Sequence, residues 1–286
     1  MCFKLEEGST VKTLSLLVIL FALIPAANAL STYYPAEFKS KMHDIKNNEL
    51  KEELFKVLDM KHVGGKNEDI LVSNCGEGQG RCYSQRVLGY TAARKVLFGK
   101  IHLEQTERGS YYVKDVYCRE NYGESAGVGP ERIPNHADIN CEHTWPQSKF
   151  NSRFPSEMQK SDIHHLYPTN SRANSVRGNY EFGEVNNEDS GLCEASEIGG
   201  ESRNGGGHYF EPPSEHKGNV ARALFYFSVR YQLPISERQE RTLKEWHKAD
   251  PVDAEEMERN NQIHYIQGNR NPFIDMPELA DSIDNF

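Results

Sequence analysis

Glu142 and His143 stand side by side in the stretch NCEHTWPQS, and Asn174 follows in SDIHHLYPTNSRANSVRGNYEF. His164 and His165 lie between them, and Arg177 comes three residues after Asn174. These residue types suit the breaking of a phosphodiester bond. Such a reaction needs a deprotonated water, a counter-charge for the leaving oxygen, and a phosphate held in line. A neutral histidine near its working pKa can take the proton. A hard cation can meet the developing charge. One carboxylate and one amide oxygen are enough protein ligands for magnesium, which keeps several of its waters. A guanidinium can fork onto a phosphate oxygen, and Arg177 is the candidate.

The chain must bring these side chains together. Ile139 to Thr144 has the content of a strand, closed by Pro146. Neighbours on a strand point to opposite faces. Glu142 and His143 can therefore share a cleft only if the strand ends there. Ile163 to Tyr167 reads as a second strand stopped by Pro168, and Asn170 to Asn179 as a short helix. Of His164 and His165, at most one should face the cleft. Asp162 is a candidate for orienting a histidine.

Elsewhere, Leu50, Leu54, Val57 and Leu58 predict a helix within 33–62, and Tyr90 to Phe98 predicts another, ended by Gly99. Tyr111 to Tyr117 reads as a strand, and 187–207 as a glycine-rich surface excursion. Three helices are expected toward the end: Lys217–Tyr231, Arg238–Lys248 and Asp253–Ile266. No internal repeat or domain linker is visible.

The first segment is of another kind. Leu14 to Ile24 is an apolar run, short for a membrane span, with Lys4 and Lys12 before it and Ala27-Asn28-Ala29 after it. That pattern is a secretory signal, which makes 1–29 a cleavable peptide and 30–286 the mature domain. The net charge is −9. This excludes a uniformly basic, grip-everywhere nucleic-acid binder, so phosphate contacts must be local. Six cysteines are present, and Cys2 leaves with the signal. Five in an oxidising compartment leave one unpaired. Cys75 and Cys82 bracket a tight glycine-rich turn and form the easiest pair, with Cys118–Cys141 as a second expectation. No C-x-x-C pair exists, so a structural zinc has little support.

These blocks resemble the bacterial endonuclease I family, exported nonspecific nucleases of the ββα-metal (His-Me finger) superfamily. The E-H-x-x-P core is Glu142-His143-Thr144-Trp145-Pro146, followed by Gln147-Ser148. The second block is Asp162 to Pro168, followed by Asn174, Arg177, Gly178, Asn179 and Phe182. Glu211-Pro212-Pro213, the Gly218-to-Phe227 segment and Gln267 to Phe273 also match, so the resemblance runs from about residue 85 to 275.

The resemblance implies an α+β fold with a ββα-metal core at about 138–182 and flanking helices. It implies His143 as general base, Glu142 and Asn174 as ligands of Mg2+ (Ca2+ or Mn2+ as substitutes), and DNA or RNA cut to 5′-phosphate ends. It also implies a loop-bracing role at position 165, where part of the family has Asn. A phosphate-holding arginine in the connection after the first strand finds Arg153 as its nearest counterpart, at a different spacing. Gln147 is the other candidate for substrate contact. Disulfides of cysteine-rich members do not transfer. The expectation is a secreted or periplasmic monomer. Two other readings remain open at this point: a zinc hydrolase built on the histidines, and a non-catalytic nucleic-acid-binding module.

Overall fold

The computed structural model describes residues 32–286 apart from 77, 79, 187–191, 194 and 201–206. The signal-peptide expectation for 1–29 lies outside the described residues. No helix among those described is long and apolar enough to cross a membrane.

The architecture is α+β, with four small sheets among the helices of the described residues. Helices α1 (Ala36–Lys41) and α2 (Asn47–Asp59) divide the segment expected as one helix. The four spaced apolar residues, Leu50 to Leu58, are all buried by α2. Strands β1 (Lys61–Val63), β2 (Ile70–Val72) and β3 (Cys82–Tyr83) form an antiparallel sheet in the order β2-β1-β3. Helix α3 (Tyr90–Val96) runs on into a π-helical turn, Leu97–Ile101. Gly99 therefore does not stop it. Its bare Cα admits the backbone of Glu131, whose nitrogen would lie 2.6 Å from an added Cβ. Strands β4 (Glu104–Gln105), β5 (Tyr111–Lys114) and β6 (Asn121–Gly123) form an antiparallel meander.

The third sheet carries the residues of interest. Strand β7 (Ile139–His143) pairs antiparallel with β8 (Leu166–Asn170), with Glu142 opposite Tyr167 and His143 opposite Leu166. The connection holds α4 (Ser156–Lys160) and a 3-10 turn at Ile163–His165. Helix α5 (Ser171–Arg177) follows β8 at once, capped by the Asn170 side chain on the Arg172 and Ala173 amides. The second strand thus starts three residues later than expected and runs through Pro168. A two-stranded sheet has only edge strands, where the missing N–H of proline is tolerated. Asp162 caps the turn by accepting from the His164 amide, which keeps the histidines out of the strand.

Strands β9 (Glu181–Phe182), β10 (Glu197–Gly200) and β11 (His208–Glu211) form the last sheet, with β11 parallel to β9. The region expected as a surface excursion thus includes β10 among its described residues. Helices α6 (Ser214–Tyr231), α7 (Glu237–Ala249), α8 (Ala254–Gln267) and α9 (Pro272–Asp275) complete the chain.

Helix α6 is the axis of the molecule. Every residue from Val220 to Tyr231 is buried, not only the expected face of Val220, Leu224 and Phe227. A helix apolar on one side alone could not do this. Its polar residues find partners inside: Arg222 donates to Glu256 at 2.7 Å, and Arg230 pairs with Asp59 at 3.0 Å. Gly218 lets α6 approach the end of α7, since a Cβ there would lie 2.0 Å from the Asp250 carbonyl oxygen. Overpacking of this kind costs about 1–3 kcal/mol or more. Gly218→Ala should therefore lower the unfolding free energy by that amount, read in urea as a lower midpoint with an unchanged slope.

Candidate active site

Strand β7 ends at His143, and the cleft forms around that end. Ile139 and Cys141 belong to a small apolar cluster with Ala93, Leu97, Val113, Ile163 and Leu166. His143 continues their face at the same period of two. Asn140 and Glu142 occupy the other face and contact α5. Because the strand stops, Glu142, His143 and Asn174 all line one open cleft of about 440 Å3, with Gln147, Ser148, Gly178 and Asn179. In a larger cavity of about 980 Å3, six carboxylates (Glu104, Asp115, Glu215, Asp253, Glu255 and Glu256) outnumber the cations Lys114, Arg119 and Arg259. That concentration of carboxylates makes it a poor host for a polyanion.

His143 is 7 % exposed. Burial pushes its imidazole down to about 3, with the charge at neighbouring His165 acting in the same direction. The ring is therefore neutral at physiological pH. Its Nε2 lies 3.1 Å from the Lys160 carbonyl oxygen, which can only accept a hydrogen bond. That partner puts the proton on Nε2 and leaves the Nδ1 lone pair as the basic atom. Gln147 Nε2 donates to this Nδ1 at 3.3 Å.

Glu142 is 1 % exposed. Burial pushes its carboxyl above the usual range, opposed by Arg177, the Tyr117 hydroxyl and the His143 amide. The Tyr117 hydroxyl donates to Oε1 at 2.9 Å, and Arg177 Nη1 meets the same oxygen at 2.9 Å. Asn174 Nδ2 donates to Asn140 Oδ1 at 2.6 Å. With its NH2 so engaged, the oxygen end of the Asn174 amide is the part left for a ligand.

Arg177 is placed differently from the sequence expectation. Its side chain is 2 % exposed, and its terminal nitrogens are engaged within the protein. Nη1 donates to the His143 carbonyl at 3.1 Å, and Nη2 to the Thr144 carbonyl at 2.6 Å. The guanidinium also stacks on Phe182, 4.4 Å from the ring centre. Arg177 therefore fixes the end of β7 and balances Glu142, and it also lines the cleft.

Asp162 touches no histidine ring. It accepts from the Tyr226 and Tyr231 hydroxyls at 2.7 Å each, from Gln267 at 2.7 Å and from Gln85 at 3.1 Å. Burial works against its charged form, yet the nearby histidines and these donors hold it below the usual carboxylate range. It is a buried hub joining the β7–β8 connection to α6 and α8.

The two adjacent histidines are both buried. His165 Nε2 bonds the Gln159 carbonyl at 2.8 Å, within the loop between the strands, and His164 Nε2 bonds the Asn269 carbonyl at 3.2 Å. Each ring gives its Nε2 to a separate backbone carbonyl, while both Nδ1 atoms are buried without a hydrogen-bond partner. Among the described residues no group of three His, Cys, Asp or Glu is placed to hold a metal. Arg153 is exposed and outside the cleft lining. Trp145 is buried against Phe227, with ring centres 5.2 Å apart, and is a core residue.

The disulfides are Cys75–Cys82, as expected, and Cys118–Cys193. Cys141 is free and buried, not joined to Cys118, and burial pushes its thiol up to about 12. It sits on the Ile139 face of β7, packed into the small cluster, while the backbone of Tyr117 carries Cys118 toward Cys193.

Asn140 and Tyr117 escaped the sequence reading. Asn140 had a signal, since it lies two residues before Glu142 and so on the same face. Tyr117 had none. It reaches Glu142 through a turn in which Asp115 Oδ1 accepts from the Tyr117, Cys118 and Asn170 amides.

The endonuclease I family model matches residues 48–278. An extracellular ribonuclease of Bacillus subtilis (strain 168) is 40% identical over 167 residues, 52% of this chain and 55% of the relative. An extracellular ribonuclease of Bacillus amyloliquefaciens is 37% identical over 186 residues, 59% of this chain and 60% of the relative. A periplasmic deoxyribonuclease of Aeromonas hydrophila is 30% identical over 171 residues, 53% of this chain and 70% of the relative. The chain thus spans little more than half the length of the two Bacillus relatives. The family model covers most of the chain, and we conclude that the protein belongs to the endonuclease I family.

Proposed function

We propose that this protein is an exported endonuclease that hydrolyses DNA, and RNA, with little sequence specificity, leaving 5′-phosphate ends. In this reading 1–29 is a cleaved signal peptide, and 30–286 is one nuclease domain acting as a monomer in the periplasm or outside the cell. The observation that carries the reading is a neutral imidazole, tautomer fixed by the Lys160 carbonyl, at a strand end shared with a buried carboxylate and an oriented amide. The names of the relatives support both substrates. The two Bacillus proteins are called ribonucleases, and the Aeromonas proteins deoxyribonucleases.

Glu142 and Asn174 are the residues that would hold a divalent cation of the magnesium type, Mn2+ and Ca2+ included. The donor set fits, because both offer oxygen, which a hard cation prefers. When bound, the ion supplies Lewis-acid stabilisation of the phosphate and the departing oxygen. His143 Nδ1 takes a proton from water, whose oxygen attacks phosphorus as the 3′ oxygen leaves. Arg177 holds the His143 and Thr144 carbonyls and favours the ionised form of Glu142 against the effect of burial. His165 braces the loop that carries the Lys160 carbonyl. Reading the phosphate and not the bases accounts for low specificity, and Gln147 and exposed Arg153 are substrate-side candidates.

The test is a plasmid-nicking assay with magnesium, then with excess chelator. Nicking that stops on chelation is expected, and nicking that survives it contradicts the role given to Glu142 and Asn174. A finer prediction concerns Asn140. Losing a group that orients a metal ligand typically costs about 10–100-fold in metal affinity. Asn140→Ala should raise the half-activating magnesium concentration within that range, with maximal velocity at saturating metal largely kept.

A further inference from the structure

Tyr90 opens α3, on the His143 side of β7. Its ring centre is 5.3 Å from that of His143. Two cations pack on this one ring. The Arg94 guanidinium carbon and the Lys160 ammonium nitrogen each lie 4.6 Å from its centre. The three side chains come from two elements, α3 and α4, and all are partly exposed. Lys160 is also the residue whose carbonyl fixes the His143 tautomer.

Both cations lack a counter-charge, and unlike the other unpaired cations they meet on a single ring beside His143. The chain has 33 Lys and Arg against 42 Asp and Glu, so carboxylates are in excess. Arg177, Lys217, Arg222, Arg230 and Arg270 are each paired with one. Among the described residues, Arg94 and Lys160 have no carboxylate at ion-pair distance. Glu157 shares α4 with Lys160 but gives its carboxylate to the Tyr90 amide at the start of α3. Arg94 Nε is buried without a hydrogen-bond partner. A ring face attracts a cation without neutralising it. Tyr90 therefore holds two charges in fixed positions while leaving both available to an anion from outside.

We propose that Tyr90, Arg94 and Lys160 form a phosphate grip that takes the nucleic-acid backbone next to the phosphate being cut. This rests on the nuclease reading above. The grip explains how a protein of charge −9 can hold a polyanion, by concentrating two unopposed charges beside the catalytic base. It contacts backbone alone, and so adds affinity but no sequence preference.

The test is binding of a short fluorescein-labelled duplex, followed by anisotropy in chelator between about 50 and 200 mM KCl. Arg94→Gln and Lys160→Gln keep apolar stems that can still cover the ring. Each lost phosphate contact lowers the steepness of log K against log salt by about 1. Each single variant should show that loss and the double variant about twice it, while Arg94→Lys keeps the original slope. In cleavage assays KM should rise with kcat little changed. Thermal midpoints of all variants identify any that fails to fold, and Arg94→Lys, which keeps charge and stem, then decides against Arg94→Gln. An unchanged slope in the folded double variant overturns the grip. Absence of magnesium-dependent cleavage by the unsubstituted protein overturns instead the nuclease reading beneath it.

Discussion

His143→Ala should cleave DNA about 100- to 10,000-fold more slowly than the unsubstituted protein, the range over which a positioned general base acts. Binding in chelator should be retained, because the phosphate contacts proposed here lie on other side chains. The argument rests on two observations. Burial pushes the imidazole pKa down to about 3, which keeps the ring neutral but leaves it a weaker base than one with a pKa near working pH. The Lys160 carbonyl 3.1 Å from Nε2 leaves Nδ1 as the basic atom. A ring used only for packing would give a different result. His143→Gln, which preserves much of the volume and a hydrogen bond, would then restore cleavage. Loss of activity in both variants, with intact thermal transitions, supports the assignment; full activity in His143→Gln contradicts it.

Arg177→Ala should destabilise the fold by about 3–5 kcal/mol, the usual cost of leaving one partner of a buried ion pair alone. Glu142 is 1 % exposed and would lose the cation 2.9 Å away. The carbonyls of His143 and Thr144 would lose their donors as well. Arg177→Lys should recover only part of this, because an ammonium cannot fork to three oxygens in one plane. Denaturant unfolding checks the first claim. If Arg177 were instead a phosphate contact, the alanine variant would keep its midpoint and show a raised KM alone.

The site was legible where chemistry sits in short spans. Glu142, His143 and Asn174 were visible as types at a spacing that two strands and a helix can fold together, and β7, β8 and α5 supply those elements. The required strand end at His143 is present. What sequence hid is what depends on burial and on distant partners. Arg177 looks the same on paper whether it faces a phosphate or a carboxylate. Asp162 looked like a partner for a histidine ring, yet it serves residues 64, 69 and 105 positions away. The Cys118–Cys193 bond spans 75 residues, and no local rule selects it over Cys118–Cys141. Helix ends were missed where a glycine packs against backbone, as at Gly99. The cations on Tyr90 could not be found because α3 and α4 meet only in the fold.

The central claim is that Glu142 and Asn174 hold one divalent cation beside His143, and calorimetric titration with Mn2+ tests it most directly. The account predicts one site per chain in the unsubstituted protein and at least tenfold weaker binding in Asn174→Ala, a partly exposed position where folding should survive. Equal Mn2+ affinity in the two proteins, with matching thermal midpoints, would contradict it.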